Sequence, residues 1–267
     1  TTTFPLGGTW YANLTALVQP DGKPLLAGFM RTAAGDRGFV CRLNVAGNFD
    51  ATFDTDGCRD FRAFAFTNED CSIKDIALGA PNGAITFVGQ CRDRNSAGRR
   101  VFTARLTALG AIDTEFGAGA GVNLPTLVGS ELHELNALAM QEDGRFVAVG
   151  STLRATNEYD VAVLQFSNDG TIDPTFANGA GEALRALDIA GTLYDFGTDI
   201  LVRPDGRILA SAFAEGFDND GEIALWQLNA TGLPDASFGA NGLVLGSESL
   251  VDITNGTPLL GPFYARM

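Results

Sequence analysis

Apolar and polar positions alternate in short runs along this chain, and the runs come round again in a fixed order. "QPDGKPLLAGF" (19–29) is answered by "APNGAITFVGQ" (80–90), "QEDGRFVAVGS" (141–151) and "RPDGRILASAF" (203–213), with a clipped echo "TNGTPLLGPF" (254–263). The turn glycines Gly22, Gly83, Gly144, Gly206 and Gly256 stand 61, 61, 62 and 50 residues apart. Each follows Asp or Asn, the pairing suited to a two-residue hairpin turn that needs positive φ at both central positions. Every copy therefore predicts two apolar strands joined by a tight turn.

A third strand follows at "FVCRL" (39–43), "FTARL" (102–106), "AVLQF" (162–166), "ALWQL" (224–228) and "FYARM" (263–267). Apolar residues alternate there with Arg or Gln, as in a strand whose two faces meet different surroundings. Next comes a short motif, "FDATF", "IDTEF", "IDPTF" or "PDASF", carrying Asp50, Asp113, Asp173 and Asp235 and the aromatics Phe53, Phe116, Phe176 and Phe238. Asp in such a turn caps backbone N–H groups, and Phe is expected to plug the gap to a neighbouring unit. A Gly-rich link then leads to a short strand ("GCRDF", "GVNLP", "GEALR", "GLVL"), a slot that the N-terminal "TTTFPL" also fits.

Four strands in about 60 residues match a propeller blade, and a lone meander cannot cover both its faces, so units must stack around a ring. The expected fold is all-β: a single propeller of five four-stranded antiparallel blades, the last abbreviated. With the link strand opening each unit, the blades run over 1–56, 57–120, 121–180, 181–241 and 242–267. Four- and six-bladed rings remain alternatives. The pattern "PDGKPLLAGF…FVCRLNVAGNFDATFD" and its counterpart "EDGRFVAVGS…VAVLQFSNDGTIDPTFA" resemble the bacterial delta-60 repeat family of β-propellers. The resemblance covers nearly the whole chain and implies a structural repeat without implying a chemistry. Asp54 and Ala177 stand where that family favours Gly, and Gln165 and Gln227 where it favours Arg.

Repetition also separates the two edges of the ring. The hairpin turns and Asp/Phe links are nearly uniform and share one edge. The loops on the other edge differ in every copy: "GGTWYAN", "FTNEDCS", "VGSELHEL" and "AGTLYDFG" before the hairpin, "TAAGDRG", "RDRNSAGRR", "LRATNEYD" and "AEGFDNDGE" after it. Variable loops on a rigid scaffold are where recognition usually resides. Trp10, Tyr11, His133, Tyr159, Tyr194 and Asp195 form an aromatic and acidic set on that edge, suited to stacking sugar rings or holding a peptide. Packing of the blade edges is the competing reading for Trp10 and Tyr194.

The net charge of −14 argues against a nucleic-acid partner, and no apolar run is long enough for a membrane-spanning helix. The N-terminal "TTTFPLGG" lacks a basic segment followed by an apolar one, so a signal peptide is not expected within it. Cys41, Cys58, Cys71 and Cys91 form no C-x-x-C pair, and the lone histidine is distant, which disfavours zinc. Two disulfides and a secreted, periplasmic or cell-surface location follow, against the alternative of four reduced buried thiols. Cys71 and Cys91 flank one hairpin at the same edge of its strands, which favours Cys71–Cys91 and, by remainder, Cys41–Cys58.

Asp54, Asp56 and Asp60 in "DTDGCRD" have the oxygen chemistry of a calcium-loop fragment, an ordinary acidic turn being the simpler reading; "FDNDGE" (217–222) is a weaker case. No other cofactor is implied. "RDRNSAGRR" (92–100) gathers four positive charges, by default a solvated loop although a bound anion is conceivable. Three N-x-[ST] sequons, at Asn13, Asn229 and Asn255, matter only in a eukaryotic secretory host. A Ser-His-Asp triad would have to use His133, and no nucleophile-elbow sequence accompanies it. The leading expectation is a non-enzymatic recognition module for a glycan or protein. The alternatives are a carbohydrate hydrolase using single-copy carboxylates such as Asp195 or Glu134, and a scaffold unit of a larger surface protein. Oligomeric state is left open.

Overall fold

The computed structural model describes residues 7, 9–61, 68–79, 82–96, 98–127, 131–155, 158–187, 194–214 and 222–246. They form four antiparallel sheets of four strands each. The first sheet holds β1 (Trp10–Val18), β2 (Pro24–Thr32), β3 (Gly35–Arg42) and β4 (Cys58–Phe61); the second holds β5 (Glu69–Gly79), β6 (Ala84–Asp93), β7 (Arg99–Leu106) and β8 (Val122–Asn123). The third holds β9 (Glu131–Met140), β10 (Phe146–Ala155), β11 (Glu158–Phe166) and β12 (Glu182–Arg185); the fourth holds β13 (Asp195–Val202), β14 (Ile208–Ala214), β15 (Glu222–Leu228) and β16 (Leu243–Gly246). No helix among the described residues is long and apolar enough to cross a membrane.

The link strand closes the preceding sheet instead of opening the next one, which shifts the expected blade boundaries. In the first sheet the reason is local. Asp50 N–H donates to Arg42 O and Arg42 N–H to Gly57 O, so the Asp/Phe turn doubles back and lands β4 beside β3. By the same rule Leu243–Gly246, expected in the fifth unit, is the outer strand of the fourth sheet. The remainder of that unit (247–267) and the N-terminal "TTTFPL" slot lie outside the described residues.

The first strands of successive sheets, β1, β5, β9 and β13, pack on one another as the inner strands of a propeller do. Asp75 on β5 joins three sheets: one carboxylate oxygen accepts from Thr15 Oγ1 at 3.1 Å and the other from Leu138 N–H at 3.0 Å. Each of the four inner strands carries a bulge opposite its neighbour. A bulge pushes backbone toward the partner strand, and a Cβ at Gly150 would meet Glu134 O at 1.9 Å, which explains the glycine in "FVAVG".

Between sheets the repeat motif works as a staple. Phe53, Phe116 and Phe176 are fully buried and sit under the turn glycines Gly110, Gly170 and Gly232 of the following sheet. Backbone bonds run beside them: Asp54 N–H to Leu109 O, Gly117 N–H to Asp169 O and Ala177 N–H to Thr231 O. The motif aspartate caps its own turn and pairs with a cation. Asp50 receives Arg42 Nε (3.1 Å) and Lys23 Nζ (3.0 Å), and Asp113 receives Arg105 Nε (2.7 Å). Where the third strand has Gln165 or Gln227 instead, arginine comes from the hairpin turn: Arg145 reaches Asp173 at 3.2 Å and Arg207 reaches Asp235 at 2.8 Å.

Both disulfides have the expected pairing. Cys41–Cys58 links register partners on β3 and β4, and Cys71–Cys91 links register partners on β5 and β6, so each bridge lies within one sheet. No free cysteine remains, as befits an oxidising compartment.

Candidate functional site

The variable edge of the third and fourth sheets brings three of the expected site residues together. His133 leaves β9 one residue after buried Leu132, Tyr159 leaves β11, and Tyr194 immediately precedes β13. His133 meets Tyr159 edge-on at 4.6 Å between ring centroids. Tyr159 in turn stacks on Tyr194 at 5.2 Å, with planes 19° apart. A parallel backbone bridge joins the same two tyrosines across the seam between the sheets. Tyr194 is 46% exposed and forms the open end of the row.

At the other end Arg99 of β7 approaches His133 Nε2 with Nη1 at 3.3 Å. Burial holds the His133 pKa below its usual value, with Arg99 acting in the same direction and Glu134 and Glu131 opposing. The ring is therefore neutral at pH 7, and its Nε2 can accept from the guanidinium while the proton sits on Nδ1. Lys74 of β5 lies in the same neighbourhood; burial pulls its pKa down, and Glu134 pushes it back. Glu134 itself accepts from Asn136 Nδ2 at 3.0 Å, and the same Nδ2 donates to Gly197 O at 2.9 Å.

The other expected residues are placed elsewhere. Tyr11 packs edge-on against buried Phe39 at 5.7 Å, within the first sheet. Trp10 opens β1, and its side chain is outside the described set. Asp195 is 1% exposed and turned inward, where Oδ2 accepts Leu187 N–H at 2.6 Å. It braces the chain after β12 and offers no carboxylate to the surface on that side.

Asp54, Asp56 and Asp60 do not converge. Asp54 accepts from Arg59 (2.7 Å), Asp56 from Cys58 N–H (3.0 Å) and Asp60 from Arg37 (2.8 Å). Among the described residues the one close grouping of Cys, His and acid side chains is Glu69 with Cys71 and Cys91, whose sulfurs are already joined to each other. Most of "FDNDGE" (217–221) lies outside the described residues.

Arg99 was not distinguished within its charged loop by sequence reasoning, and Lys74 was not singled out. The signal for Arg99 is its register opposite Arg92, which puts two like charges on one face of a hairpin.

Residues 19–53, 141–176 and 203–238 match the family described as "Domain of unknown function (DUF5122) beta-propeller". Three of its repeats match the DUF5122 β-propeller model. Each matched segment begins just before a hairpin turn and ends on the motif phenylalanine, Phe53, Phe176 or Phe238, so the DUF5122 signature is the hairpin, third strand and staple described above. It stops short of most of the loops that carry the His133–Tyr159–Tyr194 row. No curated protein sequence matches the chain.

Among solved structures the fold is similar to polysaccharide lyase Uly1 (10% identity, TM-score 0.39, covering 82% of this chain and 58% of the lyase). It is also similar to the α-L-arabinofuranosidase PaAbf62A from Podospora anserina in complex with cellotriose (11%, 0.40, covering 86% and 67%). A third is an exo-1,5-α-L-arabinanase from a bovine ruminal metagenomic library (13%, 0.38, covering 96% and 78%). Likenesses this distant carry no argument about activity.

Proposed function

We propose that this DUF5122-repeat propeller is a non-enzymatic recognition module that binds a glycan across its variable edge, in the periplasm or outside the cell. The observation that carries the reading is the His133–Tyr159–Tyr194 row, which crosses from one sheet to the next and ends on a half-exposed tyrosine. Aromatic rings fixed in this way present an apolar face with polar tips at little entropic cost, the surface that the C–H face and hydroxyls of a sugar ring match. Hydrolysis is the less favoured reading. Of the two single-copy carboxylates considered for it, Asp195 is buried on a backbone N–H and Glu134 is engaged by Asn136.

The test is a glycan-array screen of the purified protein beside a Tyr159→Ala/Tyr194→Ala variant whose fold is checked by circular dichroism. Hits that vanish in the folded variant support the reading. Hits that survive unchanged move the site away from the row, and a clean array removes glycans as the ligand class.

A further inference from the structure

Between the first and second sheets, on the same variable edge, lies a cleft of about 320 Å³. Arg31, Asp36, Asp70, Arg92 and Arg99 line it together with the Cys71–Cys91 bridge. Three arginines thus line one cleft in a protein of net charge −14. Their partners are unevenly shared. Arg31 is neutralised by Asp36 through two bonds of 2.8 and 2.9 Å. Asp70 faces Arg92 in register across β5 and β6, but its Oδ1 accepts Asp36 N–H at 2.8 Å and pairs with Arg94 at 3.4 Å.

Arg92 and Arg99 stand directly opposite each other on β6 and β7. Like charges in that relation destabilise a sheet unless something neutralises them. Among the described residues neither forms an ion pair with a carboxylate, and the side-chain partner of Arg99 is the neutral ring of His133. The bridge at Cys71–Cys91 lies one residue from Arg92 and fixes the spacing of the two strands that hold it.

The geometry points to an anion subsite in this cleft: Arg92 and Arg99 take the acidic group of a charged sugar whose neighbours run along the aromatic row. This rests on the glycan-recognition reading and names its ligand class. The guanidinium fork suits the two oxygens of a carboxylate or sulfate, and such charge-assisted bonds are about twice as strong as neutral ones. Arg99 ties the subsite to the row through His133, so one saccharide chain can touch the second, third and fourth sheets in turn. The cleft volume is at the lower end of the roughly 300–1,000 Å³ spanned by small-molecule sites, which suits one sugar unit.

Titration calorimetry with three probes tests it: an oligogalacturonate, its methyl ester, and a sulfated galactan oligosaccharide, each with wild type, Arg92→Gln and Arg92→Gln/Arg99→Gln. The acid form or the sulfated form should bind about tenfold tighter than the ester. That preference should shrink in Arg92→Gln, disappear in the double variant and weaken with added salt. Preference for the carboxylate or for the sulfate tells which acidic group the cleft takes. Binding of the acid and sulfated forms no tighter than the ester, which needs only wild type, overturns the subsite while leaving the aromatic-row reading in place. So does a preference that survives in the double variant. Failure of every charged and neutral glycan to bind overturns both.

Discussion

Tyr159 and Tyr194 stack across the seam between the third and fourth sheets, 5.2 Å apart, and the same pair is bridged through the backbone. Two strands from different sheets therefore share one rigid aromatic step, and its outer ring is the more open one. Tyr194→Ala is expected to weaken glycan binding by about tenfold, a loss of roughly 1.4 kcal/mol. Tyr194→Phe, which keeps the stack, should retain most of the affinity. Stability should fall by no more than about 1 kcal/mol in either variant, because the side chain is half-exposed. Binding isotherms beside thermal melts separate the two effects, and a large drop in Tm would mean the pair holds the seam.

The cation that meets the motif aspartate changes its origin between repeats. In the first two sheets the third strand supplies it (Arg42, joined by Lys23 of the hairpin turn, and Arg105), and in the third it is Arg145 on the hairpin turn alone, bonded to both Gln165 Oε1 and Asp173. Arg145→Ala should destabilise by about 1 kcal/mol, a small effect because its side chain is 39% exposed. Adding Gln165→Arg, which copies the first two sheets, should recover that loss. Urea unfolding of the single and double variants checks this; a double variant less stable than the single would show that the two solutions are not interchangeable.

Gly170 and Gly47 share positive φ, +86° and +82°, but only Gly170 has a ring against it, with Phe116 Cζ 2.2 Å from where a Cβ would stand. Gly47 has nothing within 4 Å. Both alanine variants pay for the left-handed backbone, about 1 kcal/mol. Gly170→Ala must also displace the staple phenylalanine and should cost a further 1–3 kcal/mol, roughly. The difference between the two measures how firmly the Phe116 staple joins the second sheet to the third. Equal losses would mean that the ring yields freely.

Most of this staple was legible in the sequence, because third strands and Asp/Phe motifs follow local rules and recur. The hairpins also form, but only the glycine of each described Asp/Asn-Gly pair has positive φ, so their turns are not the two-residue type expected. Phe116 and Asp113 read correctly from one copy once another copy stood beside them. The grouping of strands was not legible: nothing in "GCRDF" says whether it pairs backward with β3 or forward with β5. The answer lies in how the turn at Asp50 folds back on Arg42. The candidate site was half legible. Tyr194, Tyr159 and His133 stood out as single-copy aromatics in variable loops, and they do meet. Tyr11 and Asp195 look equally eligible by position but point into packing, since one residue of register decides which face of a strand a side chain occupies.

Each disulfide ties two neighbouring strands of one sheet across 17 and 20 residues of chain. Replacing either pair by serine should cost about 2–4 kcal/mol. The two pairs sit in different sheets, so their losses should add to within about 0.5 kcal/mol. Loss of Cys71–Cys91 alone should also weaken binding of the acidic oligosaccharide, because Arg92 is next to it. Thermal melts of the three variants, followed by calorimetry on those that remain folded, would show whether the effects separate by sheet in this way.

The motif aspartates also set the response to acid. The Thr52 hydroxyl, with Lys23, the Thr52 N–H and Arg42, holds Asp50 well below the usual carboxylate range against the opposing effect of burial. Thr175 and Arg145 lower Asp173, and Ser237, Gln227 and Arg207 bring Asp235 down to about 2. Between these folded values and the ordinary Asp value of about 3.9, the unfolded chain binds more protons than the native one. Their stabilisation is thus complete above about pH 4 and drains away as pH falls toward 2. His133, with its pKa lowered by burial, adds a smaller loss of the same sign below about pH 6.5. Asp75 runs the other way: burial raises its pKa, so protonation stabilises the native state as pH falls through the raised value. Urea midpoints should therefore change little from pH 7 to 5, apart from the His133 contribution, and fall steeply below about pH 4. Asp173→Asn should flatten that fall, and Asp75→Asn should remove the gain in stability expected between the raised Asp75 value and about pH 4. A curve that both substitutions leave unchanged would mean that acid unfolding is governed by net charge instead of by the paired turns.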